Sequence, residues 1–244
     1  MAIKEIEYNG LKYSLSYEII GQNGVKNMLI LHGWGANKEL MKMAFSKHLS
    51  EFNCVYLDLP GFGLSSALEV ALHTSDYANI VSKFIHFLGL KFELVMGHSF
   101  GGKIATLLEP KNLILLSSAG IVKQKRFSVR AKIAIFKVLK GIGLGRFWRL
   151  FATKDISGMS KIMYETLKNV VDEDFSDIFA KFGGRALIFW GISDDATPLS
   201  SGEKLARLIK ESKFYSLEGD HFFFLHHGEF IAKTIIEVIQ KEQK

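Results

Sequence analysis

The strongest chemical signal in this sequence is a serine placed between two glycines, in the run Gly97-His98-Ser99-Phe100-Gly101. The apolar run 92–96 before it predicts a buried strand, and residues 100–108 after it have a helical pattern. Small residues on both sides of Ser99 allow the sharp turn that exposes a serine hydroxyl where a strand meets a helix. Because the amides that begin such a helix can stabilise negative charge, Ser99 is a candidate nucleophile for acyl transfer.

A serine hydroxyl is a weak nucleophile unless a base removes its proton, and histidine is the usual base. Where the order along the chain is serine, acid, histidine, the base must follow Ser99. Three histidines do so, namely His221, His226 and His227. His221 comes just after the last predicted strand, 213–217, in a loop that can reach the edge of a sheet. The other two are predicted to begin the final helix, so His221 is the predicted base.

The acid that orients this histidine is expected just after the preceding strand, 185–190. Both Asp194 and Asp195 follow that strand. The spacing favours Asp194, and Asp195 is interpreted as a solvated loop residue or a charge at the start of a helix. A carboxylate in this place accepts the imidazole N–H, selects one tautomer and stabilises the imidazolium. The predicted catalytic set is therefore Ser99, Asp194 and His221.

The oxyanion formed in acyl transfer needs hydrogen-bond donors, commonly two backbone amides. One candidate is the amide of Phe100, directly after the serine. The loop after another predicted strand supplies the second, and there the Trp34 amide is the predicted donor. The sequence shows no spacing typical of a metal site or a phosphate loop, so we predict neither a metal nor a cofactor.

Apolar runs alternate with helical patterns along most of the chain, which favours a parallel sheet covered by helices on both faces. The alternation stops between residues 121 and 182, where only helical patterns occur. The predicted organisation is therefore an α/β core formed by residues 1–120 and 183–244, interrupted by a helical lid at 121–182.

The positive charge of the chain, a net +6, is concentrated in that insertion. Residues 121–154 contain ten Lys or Arg and no acidic residue, and 130–140 has the pattern of a basic amphipathic helix. Two interpretations stay open. The helix could pack on the core with solvated lysines, or it could contact anionic partners such as acidic acyl groups, a carrier protein or a membrane surface. A uniform basic coat is absent, so nucleic-acid binding is not expected.

The overall composition is that of an ordinary globular protein, with 48% hydrophobic and 23% charged residues. One cysteine excludes a disulfide framework. The charged N-terminus does not resemble a secretory signal, and no apolar run approaches the ~18 residues of a spanning helix. We therefore expect a soluble cytoplasmic protein.

Five segments, taken together and in order, resemble the α/β-hydrolase superfamily. They are L-H-G-W-G at 31–35, L-D-L-P-G-F-G-L-S at 57–65, G-H-S-F-G-G at 97–102, G-x-x-D-x-x-x-P at 191–198 and G-D-H at 219–221. The resemblance implies the α/β-hydrolase fold, an eight-stranded and mostly parallel sheet with helices on both faces and a helical lid after the sixth strand. It also implies Ser99, Asp194 and His221 as a catalytic triad.

Within that superfamily, the N-terminal half is similar to carboxylesterases that cleave pimeloyl-carrier-protein methyl esters. The chain as a whole is also similar to meta-cleavage product hydrolases, which cleave carbon–carbon bonds. Epoxide hydrolases and haloalkane dehalogenases carry aspartate where Ser99 stands, which argues against both. The likeness implies a serine hydrolase that cleaves small or medium carboxylic esters. If the basic insertion contacts anionic partners, the small acyl substrate is anionic or bound to a carrier. The alternatives are a carbon–carbon hydrolase acting on a vinylogous diketone, or a binding protein on this scaffold.

Overall fold

An eight-stranded sheet forms the centre of this computed structural model, which describes residues 1–21, 26–122 and 159–241. Its strands are β1 (Ala2–Tyr8), β2 (Leu11–Ile20), β3 (Asn27–Leu31), β4 (Asn53–Leu57), β5 (Phe92–His98), β6 (Asn112–Leu116), β7 (Arg185–Gly191) and β8 (Ser212–Leu217). Their order in the sheet is β1-β2-β4-β3-β5-β6-β7-β8. Strand β2 pairs antiparallel with β1 and β4, and the remaining neighbours pair in parallel. The mostly parallel sheet predicted from the sequence is confirmed.

Helices cover both faces of the sheet. Within the described ranges they are α1 (Lys38–Phe45), α2 (Thr74–Leu88), α3 (Phe100–Leu107), α4 (Lys161–Val171), α5 (Ser176–Lys181), α6 (Leu199–Leu208) and α7 (Phe224–Lys241). Helices α1 and α7 pack on one face, and α2, α3 and α6 on the other. None of the helices in these ranges is long and apolar enough to cross a membrane.

The central strands are apolar on both faces because both faces are covered. In β3, Met28 and Ile30 belong to the apolar cluster under α1 and α7. Leu29 and Leu31 belong to the cluster under α2 and α3, since successive side chains of a strand point to opposite faces. This double burial explains why the sequence shows continuous apolar runs here instead of alternation.

Two helix boundaries differ from those that the sequence patterns predict, which are a helix at 37–52 and a final helix that begins at His226 or His227. Helix α1 begins where predicted, because the Asn37 side chain accepts hydrogen bonds from the amides of Glu39 (3.1 Å) and Leu40 (3.3 Å). It ends at Phe45, although the apolar pattern continues to 52. Helix α7 begins at Phe224, earlier than predicted, because apolar side chains at the start of this segment pack into the core.

Only part of the predicted insertion lies in the described residues. Helices α4 and α5 fall within it, and Lys103 of α3 connects it to the core: its ammonium donates to the carbonyl oxygen of Val170 (2.7 Å) and pairs with Glu173 (2.6 Å). The basic segment 130–140 lies outside the described residues, as do the remaining residues from 123 to 158. The limits of the lid at 121 and 182 therefore stay predictions.

A buried ion pair connects the end of β4 to the start of α1. The Lys38 ammonium lies 2.6 Å from a carboxylate oxygen of Asp58, and both side chains are 1% exposed. Both charged groups have further hydrogen bonds to the protein. Lys38 also donates to the Ser16 hydroxyl, and Asp58 accepts from the amides of Lys38 and Leu64. This interaction holds the loop 32–37, which precedes α1, against the segment that follows β4.

Breaking this pair should destabilise the fold. Replacement Lys38→Met leaves the Asp58 carboxylate buried without its cation, and we expect the free energy of unfolding to fall by about 3 kcal/mol. The matched control is Lys42→Met, which removes a partly exposed pair with Glu18 and should cost about 1 kcal/mol or less. Chemical denaturation measures both. Equal losses for the two variants would contradict the role assigned to the buried pair.

Candidate active site

Ser99 lies in a strained turn between β5 and α3. Its backbone has φ 50° and ψ −114°, a left-handed conformation that residues other than glycine rarely adopt. A Cβ on Gly97 would clash with the backbone of Gly101, so strand and helix approach as closely as these glycines allow. The Ser99 amide donates to the carbonyl oxygen of Leu116 (3.0 Å), and its carbonyl accepts from the Ala119 amide (3.0 Å). The neighbouring strand β6 thus holds the turn that the sequence predicted.

His221 and Asp194, which are distant in sequence, are hydrogen bonded. The distance from His221 Nδ1 to Asp194 Oδ2 is 2.8 Å. The ionised carboxylate only accepts, so Nδ1 carries the proton and His221 Nε2 is left as the basic nitrogen. The Asp194 side chain is buried, and His221 is about one-sixth exposed, at 17%. This is the arrangement of an acid that orients a base.

Three further donors hold the Asp194 carboxylate. Its Oδ1 accepts from the amides of Ala196 (2.9 Å) and Thr197 (2.8 Å), and its Oδ2 lies 2.8 Å from the Thr197 hydroxyl. Burial alone would raise the pKa of Asp194, but the hydrogen bonds from His221 and Thr197 outweigh it and lower that pKa. The carboxylate therefore stays ionised beside the imidazole.

The loops that carry these two residues meet because β7 and β8 are neighbours in the sheet. The Ile192 amide donates to the carbonyl oxygen of Leu217 (2.9 Å), and the Ser193 amide donates to that of Gly219 (2.9 Å). A Cβ on Gly191 would clash with the carbonyl oxygen of Asp220, so the glycine at this strand end allows the two loops to touch. Parallel pairing places both loops at the carboxyl edge of the sheet, where β5 also ends in Ser99.

The Ser99 hydroxyl makes no hydrogen bond to His221 or to any other residue in the described ranges. His221 is nevertheless beside the turn, because the ring of His98 lies 4.6 Å, between centroids, from that of His221. Catalytic hydrogen bonds are often long in a free enzyme and shorten when substrate binds. The structure thus brings the three predicted residues to one edge of the sheet, with the acid and base already paired.

The predicted oxyanion loop lies against the serine turn. A Cβ on Gly33 would lie 3.1 Å from Ser99 Cβ, so only a glycine allows the two segments to come this close. Within the described part of the chain, neither the Trp34 amide nor the Phe100 amide donates to a protein acceptor. Two unused amides beside a serine can serve as oxyanion donors. The Trp34 ring packs on those of Phe62 (4.9 Å between centroids) and Phe100 (5.6 Å), which fixes the loop.

His32 also holds the predicted oxyanion loop. Its Nε2 accepts from the Leu59 amide (3.0 Å), so its Nδ1 carries the proton and donates to the carbonyl oxygen of Gly33 (2.7 Å). Burial lowers the pKa of His32 to about 4, which keeps the ring neutral near pH 7. Its role is therefore structural.

The alternatives considered from the sequence have no hydrogen bond to Ser99, Asp194 or His221 in the described part of the chain. Asp195 is exposed, as is His226, and His227 Nε2 lies 2.8 Å from the carbonyl oxygen of Glu218. Sequence reasoning missed Thr197, which contacts both Asp194 and, at 3.3 Å, His221 Nδ1. No signal in a single sequence distinguishes this threonine from other polar loop residues. Among the described residues, no group of three or more His, Cys, Asp or Glu side chains is arranged to hold a metal ion.

Comparisons with known proteins agree with this fold. A model of the Alpha/beta hydrolase family matches residues 28–234. The uncharacterised hydrolase YugF of Bacillus subtilis is 22% identical over 265 residues, covering 92% of this chain and 93% of that protein. The pimeloyl-(acyl-carrier protein) methyl ester esterase of Shewanella woodyi is 37% identical over 93 residues, 38% of this chain and 33% of that one. A solved thermophilic esterase from Thermogutta terrifontis shares the fold, with a TM-score of 0.73, 18% identity and 99% of each chain covered.

The lowered pKa of Asp194 predicts a loss of stability in acid. As the pH falls, the unfolded chain takes up this proton first, near the ordinary aspartate pKa of about 3.9. The stability that ionised Asp194 contributes is therefore present above that pH and is lost as the pH falls through the lower folded-state pKa. The free energy of unfolding of Asp194→Asn should fall less than that of the unmodified protein between about pH 5 and about pH 3.

The matched control is Asp195→Asn, which alters the exposed neighbouring carboxylate. Its unfolding free energy should follow that of the unmodified protein over the same range. If the curves for the unmodified protein and Asp194→Asn run parallel, the hydrogen bonds to Asp194 do not stabilise its ionised form.

Proposed function

This chain belongs to the Alpha/beta hydrolase family and is a hydrolase, and we propose that it cleaves small or medium carboxylic esters through a serine acyl-enzyme. The observation that carries the proposal is the 2.8 Å contact between His221 Nδ1 and buried Asp194, which leaves Nε2 as a base at the sheet edge where a strained turn holds half-buried Ser99. A base oriented by a carboxylate next to a serine is the requirement for nucleophilic catalysis by a hydroxyl.

In the proposed mechanism, His221 Nε2 takes the proton of Ser99 Oγ as that oxygen attacks the ester carbonyl carbon. The amides of Trp34 and Phe100 donate to the resulting oxyanion, while Asp194 stabilises the imidazolium. The C–O bond then breaks, and the alcohol leaves with the proton from Nε2. Water, activated by the same nitrogen, attacks the acyl-enzyme and releases the carboxylic acid and the free serine.

Two likenesses support an ester as the substrate class. The relative from Shewanella woodyi is named as a methyl ester esterase, and the segment that the two proteins share covers 38% of this chain. The similar solved structure from Thermogutta terrifontis is described as an esterase. The aromatic side chains of Trp34, Phe62 and Phe100 beside the proposed oxyanion amides would shield the acyl group from water.

Removal of the proposed nucleophile should abolish activity without unfolding the protein. We expect Ser99→Ala to cleave p-nitrophenyl esters at least about 10⁴-fold more slowly and to lose covalent labelling by a fluorophosphonate. Its far-UV circular dichroism should be unchanged, because the substitution removes only the hydroxyl oxygen of a half-buried side chain. The control Ser82→Ala, on the exposed side of α2, should react and be labelled like the unmodified protein. Full activity of Ser99→Ala would refute the proposed nucleophile.

The assignment of the base can be tested in the same assay. We expect His221→Ala to lower kcat by at least about 10³-fold, because Ser99 then lacks a proton acceptor. His227→Ala removes a neighbouring histidine bonded to the Glu218 carbonyl, and it should retain the kcat of the unmodified protein. Loss of activity in His227→Ala alone would assign the base differently.

The substrate class is tested by comparing p-nitrophenyl esters of increasing acyl length with a vinylogous diketone. We expect the esters to be turned over and the diketone to be inert. Turnover of the diketone with no ester cleavage would instead support a carbon–carbon hydrolase. A purified, folded protein that turns over neither substrate and resists the fluorophosphonate would favour a binding protein on this scaffold.

A further inference from the structure

His98, next to the proposed nucleophile, is a buried imidazole that the mechanism above does not use. Its side chain is 1% exposed, and its Nε2 lies 3.0 Å from the backbone carbonyl oxygen of His221. A carbonyl only accepts, so His98 Nε2 carries the proton and donates it to this bond. His98 Nδ1 is then an acceptor, buried and without a partner in the described part of the chain. Such an arrangement costs free energy, which calls for a compensating role.

The ring of His98 lies next to the Ser99 turn, between the loop that carries His221 and the predicted oxyanion loop. Its centroid is 4.6 Å from that of His221 and 4.7 Å from that of Phe224, so it packs under the loop that carries the base. On its other side, a Cβ on Gly33 would lie 2.8 Å from His98 Nδ1, so the oxyanion loop is in contact with the same ring. Burial lowers the pKa of His98 to about 3, and the ring is neutral under ordinary assay conditions.

The position of the catalytic nitrogen depends on how His221 is anchored. Its side chain is held at Nδ1 by Asp194, and its backbone carbonyl is held by His98. No hydrogen bond from the Ser99 hydroxyl contributes in the described residues, so these two bonds, together with the 3.3 Å contact of the Thr197 hydroxyl with Nδ1, set where Nε2 points. With the Asp194 bond alone, the imidazole could still move with its backbone about that contact.

Building on the proposed function, we propose that His98 is a positioning residue: its Nε2–H···O bond to the His221 backbone, between the serine turn and the oxyanion loop, holds the His221 imidazole in register with Ser99. The residue adjoins the nucleophile in sequence and holds the base through space. Its effect on the reaction is therefore exerted through His221 and requires no contact with substrate.

The test compares two amides of different reach at this position. In His98→Gln, the amide nitrogen can occupy the place of Nε2 and donate to the His221 carbonyl. In His98→Asn, the amide is one carbon shorter and reaches only the place of Nδ1. We expect His98→Asn to lower kcat for a p-nitrophenyl ester roughly 10- to 100-fold with KM changed less than about threefold. His98→Gln should retain kcat within about threefold.

A general loss of stability would not give this pattern, because both amides are polar and similarly buried. Thermal unfolding of each variant shows whether it is folded at the assay temperature. If His98→Asn does not fold, His98→Leu, which also cannot donate to the His221 carbonyl, takes its place with the same expected loss in kcat. Equal kcat values for His98→Gln and for the variant that cannot make this hydrogen bond would overturn the proposal.

A double-mutant cycle with His221→Ala locates the effect. If His98 acts through His221, then adding His98→Asn to His221→Ala should leave the residual rate unchanged within about twofold. A full further loss in the double variant would place the effect of His98 on the serine turn or the oxyanion loop and would overturn the proposal. Failure of the proposed function has a different signature, since Ser99→Ala and His221→Ala would then keep the activity of the unmodified protein.

Discussion

The left-handed backbone at Ser99 is the constraint on which the arrangement of the site depends. A conformation of this kind costs of the order of 1–3 kcal/mol in a residue with a side chain. It persists because the glycines at 97 and 101 let β5 and α3 approach until their backbones touch, and because β6 satisfies the amide of Ser99. The apolar burial of β5 and α3 between two helical layers outweighs this local strain. In return, the turn places a hydroxyl beside two unused amides.

Buried polar groups around this turn are arranged so that each part of the site is held by a different neighbour. The Lys38–Asp58 pair and His32 hold the loop 32–37, which carries the predicted oxyanion amide, and Thr197 holds Asp194. Isolated in an apolar core, each of these groups would be destabilising. Because they are paired and hydrogen bonded, they orient loops at the sheet edge that apolar packing alone would leave less defined.

Membership of the Alpha/beta hydrolase family explains the scaffold and leaves the substrate open. The matches to these two relatives cover either 92% of the chain at 22% identity or 38% of it at 37% identity. The candidate active site lies at the sheet edge, whereas the strongly basic stretch from 121 to 154 belongs to the predicted insertion and lies mostly outside the described residues. Substrate choice in such an enzyme is set by what surrounds the site, and the scaffold alone does not specify it.

The sequence by itself determined the sheet, the serine turn and the three residues at its edge. Buried strands leave continuous apolar runs, and the glycines around Ser99 are required locally, so both are visible in a few consecutive residues. Only the tertiary structure decided that Thr197 holds Asp194, that Lys38 pairs with Asp58, and that His98 donates to the carbonyl of His221. The first contact joins two residues of one loop, 3 positions apart, whereas the other two join residues 20 and 123 positions apart and depend on how separate segments meet. A periodic pattern records which face a side chain occupies, but it does not record which polar partner that side chain finds there.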